Sequence, residues 1–159
     1  MERHELQLRE LTGLLDRERR LVGALCDALA RQRSGLAYDD RALVEASTAE
    51  VGRIVAALEL ARRTRARWIG AITGDEAFPL ARLEERVGVP LPEGFLRARA
   101  DLREAAQAAA VEAGINHAVL CRAVEAGEAL MPGLYAPLAG GTPPKPGAPD
   151  DPSGTGARG

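Results

Sequence analysis

The side chains best suited to nucleophilic or metal chemistry are few and scattered: Cys26, Cys121, His4 and His117. A zinc or thiolate centre needs such residues at ligand spacing, as in Cys-x-x-Cys or His-Glu-x-x-His, and neither pattern occurs. A di-metal carboxylate site would need inward Glu-x-x-His pairs, and the chain has none. There is also no glycine-rich phosphate loop, no nucleophile elbow and no triad. The expectation is therefore a protein that is not an enzyme, with no catalytic, cofactor-binding or metal-binding residue. Two cysteines are too few for a disulfide framework and read as small apolar core residues.

The chemistry of recognition is better represented. The stretch AGINHAVLCRAVEAGEAL, beginning at Ala113, reads as helix but holds two glycines and few large apolar residues. Asn116 falls on the stripe that a helix would bury. One reading is a core amide satisfied inside the bundle, since a lone polar residue at a heptad core position fixes register. The other is a contact with the backbone or a polar side chain of a partner, with the neighbouring small residues letting that partner approach closely.

These residues must be positioned by helices. Aromatic residues make up 3% of the chain and charged residues 28%, with Ala, Leu, Arg and Glu abundant, a composition that favours coiled-coil-like packing over a sheet. Leu8, Leu11, Leu15, Val22, Leu25 and Leu29 form a heptad stripe on a first helix expected from about Glu2 to Gln32, with one position skipped at Glu18. Ser34-Gly35 is expected to stop it, because glycine accepts left-handed backbone angles. Asp39 and Asp40 offer caps for a second helix, about Arg41 to Ile72. Its stripe runs Val44, Ser47, Val51, Ile54, Leu58, Ala61, Arg65, Trp68, Ile72 and ends at Thr73-Gly74. The short loop between the two makes them antiparallel.

A short helix is expected after Pro79, stopped by Gly88, and Leu91-Pro92-Glu93 opens the last helix, expected from about Glu93 to Met131. Its stripe is read as Leu102, Ala106, Ala109, Ala113, Asn116, Leu120, Ala123, Gly127 and Leu130. From residue 132 onward the chain holds 7 prolines and 7 glycines in 28 residues, so a disordered tail is expected. The division is placed at 1–135 for the helical domain and 136–159 for the tail.

With 21 basic and 23 acidic residues the formal charge is −2, which gives no electrostatic reason to expect nucleic acid. The cluster Arg62, Arg63, Arg65, Arg67 reads first as a solvated helix face, with an acidic partner as the alternative. The opening MERHELQLRE lacks the apolar core of a signal peptide, and no stretch approaches the length of a membrane span. A cytoplasmic protein is expected, without membrane insertion.

In order, the chain shows a long helical hairpin, the short PLARLEERV helix, LPEG opening a long helix, and Asn116, Val119, Leu120 and Val124 as an asparagine followed by paired aliphatics. This arrangement resembles the flagellar export chaperones of the FlgN type over roughly residues 5–135. The resemblance implies an all-α cytosolic protein that binds hook-associated (hook–filament junction) proteins through their C-terminal helical segment. It would prevent their premature assembly and escort them to the flagellar type III export apparatus. It also implies a partner surface at Asn116, Val119, Leu120, Ala123, Val124, Gly127, Leu130 and Met131, and docking on the export gate through Tyr135, which otherwise simply packs the helix end. The rival expectation is a coiled-coil structural or adaptor protein that self-associates as a homodimer when free.

Overall fold

The computed structural model describes the backbone of residues 2–139 and the side chains of residues 4–127. The chain is all-α: α1 (Glu2–Ala37), α2 (Arg41–Thr73), a single 3-10 turn (Leu80–Arg82) running into α3 (Leu83–Val87), and α4 (Glu93–Ala139). Its contacts divide it into one unit, Met1–Cys121, and a second that begins at Arg122. The first unit is a helical bundle.

The hairpin forms as its sequence dictates. Gln32 on α1 bonds Thr48 on α2, Arg31 pairs with Glu50, and Glu18 pairs with Arg65, so residue numbers fall on one helix as they rise on the other. The Asp40 carboxylate accepts the Leu43 N–H at 3.0 Å, satisfying one of the orphan donors at the start of α2. Gly74 (φ 82°) and Gly88 (φ 70°) end α2 and α3 in the left-handed conformation that a Cβ disfavours.

Gly35 does something other than stop α1. The helix runs on to Ala37, and the left-handed residue in the loop is Asp39 (φ 54°). A Cβ on Gly35 would lie 2.8 Å from Val44 Cγ2 and 3.0 Å from the Val44 backbone nitrogen. The glycine is there because the first turn of α2 crosses α1 at that point, a requirement that comes from the partner helix and not from the local turn.

The core runs along α1 through Leu8, Leu11, Leu15 and Val22 and meets Leu83 of α3, Ile69 of α2, and Leu91, Phe95, Ala98, Leu102 and Ala109 at and along the start of α4. Phe95, Leu11, Leu15 and Leu83 are fully buried, Phe95 the largest of them. Leu25, expected on the α1 stripe, is only half-buried, and Ala28 is fully buried instead. The start of α1 shares a hollow with Pro92 and Phe95, while its end bonds to Glu112 and Asn116. α4 therefore runs parallel to α1 and antiparallel to α2.

The α4 stripe differs from the expected one by a residue at every other position. Ala106 and Ala113 are exposed. The seam against α1 is completed by Ala105, Glu112 and Val119, all half-buried, alternating with Leu102, Ala109 and Asn116. Alanine at 105, 106, 109 and 113 supplies no size contrast, so periodicity alone could not choose between the two frames. α4 also continues past Met131 to Ala139, so residues 136–139 of the expected tail are helical, and its backbone is helical through Gly114. Residues 140–159 lie outside the described residues. Among the described residues no helix is long and apolar enough to cross a membrane.

Candidate helix-binding site

Two polar interruptions of the heptads meet inside the bundle. Glu18, the skipped position on α1, is 3% exposed, and it faces Arg65, the charged position on the α2 stripe. Arg65 Nε lies 3.2 Å from Glu18 Oε1, yet that oxygen completes no hydrogen bond. Burial pushes the Glu18 carboxyl above the usual carboxylate range, and the Arg65 and Arg62 guanidiniums pull it part of the way back. The pair therefore sits where desolvation outweighs attraction.

The second polar set lies toward the other end of α1. Asn116 is 3% exposed. Its Nδ2 donates to the Leu29 carbonyl (2.9 Å) and to Gln32 Oε1 (2.8 Å), while its Oδ1 accepts from the Arg33 guanidinium (2.6 Å). Because arginine can only donate, the amide orientation is fixed. Arg33 also pairs with Glu112 of α4, and Gln32 Nε2 donates to Thr48 Oγ1 of α2 at 2.8 Å. One chain of polar contacts thus joins α2, α1 and α4. Of the two readings of Asn116, the structure takes the one in which the amide is satisfied within the bundle. All its hydrogen-bonding groups on that face are engaged by α1, so the expected role of Asn116 as a partner contact is replaced by anchoring.

The other expected contacts are distributed as follows. Val119 and Leu120 are half-buried beside the anchor. In the second unit Ala123, Val124 and Gly127 are exposed, Val124 at 59%. The side chains of Leu130, Met131 and Tyr135 lie outside those described.

The sequence reading did not single out Val111 and Ile115, which are 63% and 44% exposed and one helical turn apart on α4. Glu112 and Asn116 hold the adjoining face of α4 against α1, which leaves Val111 and Ile115 turned away from it. The available signal was that two β-branched residues stood at i and i+4 just outside the buried stripe.

Cys26 packs against the core, and burial, with Glu112 and Asp27 adding, pushes its thiol up, away from the reactive thiolate. Cys121 is exposed, contrary to the expected core role, because position 121 falls off the α1 seam. Its Sγ lies 3.6 Å from His117 Nε2 one turn earlier, a proximity the sequence reading overlooked. Among the described residues no three His, Cys, Asp or Glu side chains converge on a point a metal could occupy. No family model matches the chain, and neither the curated proteins nor the solved structures compared with it contain a match.

Proposed function

We propose that this protein is a cytosolic chaperone of the FlgN type, which binds the C-terminal helical segment of a hook-associated protein, keeps it from assembling early and delivers it to the flagellar export apparatus. The observation that supports this reading most is the exposed pair Val111 and Ile115 on a helix whose adjoining face is held to α1. A rigidly held helix with apolar residues at i and i+4 facing outward is what an amphipathic partner helix needs to complete its own packing. Small neighbours at Ala108 and Ala118, both exposed, permit close approach.

The reading is tested by titrating the C-terminal segment of a hook-associated protein into the full chain by calorimetry. Val111→Asp and Ile115→Asp should each weaken binding by about tenfold or more, about 1.4 kcal/mol. Both residues are exposed, so circular dichroism should stay that of the wild type. Unchanged affinity in both variants would remove this face from the function. Val124→Asp asks the same question of the second unit separately.

A further inference from the structure

A second surface lies on the other side of α4, where α2 and α4 flank α1 and leave a groove. Its floor is apolar: Val22 of α1, Val55 and Leu58 of α2, Leu102 and Ala106 of α4. Leu80 and Ala81 line its continuation beside α4. Arg65 borders all three hollows that lie along this groove. Ala106, whose exposure broke the expected α4 stripe, is exposed because it faces this channel and not a neighbouring helix.

The rim is basic. Five arginines border the groove (Arg62, Arg63, Arg65, Arg99 and Arg103) against three glutamates (Glu18, Glu59 and Glu76), in a chain whose net charge is −2. Glu59 is shared by Arg62 and Arg63 at 3.7 and 3.9 Å, and Glu18 is taken by Arg65. Among the described residues Arg99 reaches the backbone carbonyls of Leu80 and Ala81, which accept hydrogen bonds but carry no charge. Within the floor, Glu18 Oε1 lacks a hydrogen-bond donor although its side chain is 4% exposed.

We propose that this groove receives an amphipathic helix of a partner protein whose flanks are acidic. The walls are helices and offer no unpaired backbone edge, so an extended strand would gain nothing there, whereas a helix brings its own hydrogen bonds into an apolar channel. The stretch of α2 from Val55 to Ala66 spans about 16 Å, enough for about three helical turns. Carboxylates along both flanks would meet Arg63 on one rim and Arg103 on the other. A hydroxyl or amide on the buried face would supply the donor that Glu18 lacks. This surface is separate from Val111 and Ile115, and the inference does not rest on the export-chaperone reading.

The test uses the full chain and a fluorescein-labelled synthetic helix of about 18 residues, long enough to fold on its own, with a leucine stripe and glutamate flanks. Its control has lysine flanks, and a short DNA duplex is the competitor. By fluorescence anisotropy at low ionic strength, the glutamate-flanked helix should bind about tenfold tighter or more than the lysine-flanked one, and the preference should shrink as salt is added. Arg63→Glu combined with Arg103→Glu, both on exposed residues, should remove that preference without changing helicity. Ala106→Asp should weaken the glutamate-flanked helix, while Val111→Asp should leave it unaffected. Equal binding of the two helices, binding of neither, displacement by DNA, or a double variant that behaves as wild type would each overturn the proposal.

Discussion

Arg65→Met should destabilise the protein by about 3 kcal/mol at neutral pH, because it leaves Glu18 buried without its cation. The size has a ceiling. A stranded carboxylate can take up a proton instead, and doing so at pH 7 from the ordinary value of 4.5 costs at most about 3.4 kcal/mol at about 1.4 per unit. The same reasoning fixes the pH dependence. The folded-state value of Glu18 is raised, so the folded chain holds this proton more tightly than the unfolded chain does. Glu18 therefore costs stability above its folded value, and that cost is relieved as the pH falls through it toward 4.5. Losing Arg65 raises the folded value further, so the deficit of the variant should shrink as the pH falls below neutrality and be nearly gone near 4.5. Urea melts at neutral and mildly acidic pH measure both points. Glu18→Leu combined with Arg65→Met should regain wild-type stability or exceed it by about 1–4 kcal/mol, since two apolar residues avoid desolvating both charges. A pH-independent deficit, or a double variant as weak as Arg65→Met alone, would mean that the pair is not the buried ion pair described.

The second large effect belongs to Asn116. Asn116→Leu should cost about 2–3 kcal/mol, because it strands Gln32 Oε1 at a site where Gln32 is 7% exposed and removes one of the two acceptors of Arg33, which keeps Glu112. Asn116→Asp should cost more at neutral pH. It keeps an acceptor for Arg33 but turns a carboxylate toward two other acceptors, the Leu29 carbonyl and Gln32 Oε1. Pairing Asn116→Leu with Gln32→Leu should recover much of the loss, because no amide oxygen is then left buried without a donor, while Arg33 keeps Glu112 and Thr48 keeps the Val44 carbonyl. Chemical denaturation of the four proteins decides the matter. If Asn116→Leu melts like the wild type, the network joining α2, α1 and α4 carries no stability.

How far the sequence exposed this architecture depends on where each determinant lies. Gly74, Gly88 and Asp40 act within a few residues of their own position, and the helix ends they specify are where the pattern put them. Glu18 and Arg65 were each visible as a polar intrusion on an apolar stripe, but their pairing depends on hairpin register, which no single helix encodes. Gly35 read as a stop because that is the commonest use of glycine at a helix end. Its real constraint is Val44, nine residues on and on another helix. The α4 frame was lost for a related reason. Glu112 joins the seam only because Arg33 of α1 is brought against it, and the choice between Ala105 and Ala106 goes with that pairing. The partners of Asn116 are more than 80 residues away in sequence, so its role as an anchor could be framed as an alternative but not chosen.

The shift of Asn116 from contact to anchor moves the expected partner surface without removing it. A helix anchored on one face by Asn116 and Glu112 can present Val111 and Ile115 in a fixed direction, which lowers the ordering cost of recognition.

The chaperone reading is tested most directly by size-exclusion chromatography with light scattering. The full chain is mixed with the C-terminal helical segment of a hook-associated protein at roughly ten micromolar each, where a micromolar complex remains largely intact. The expected result is a single co-eluting species whose mass is the sum of one chain and one segment. Separate elution, with the chain running as a dimer whose mass ignores the segment, would contradict a chaperone and identify a self-associating helical adaptor.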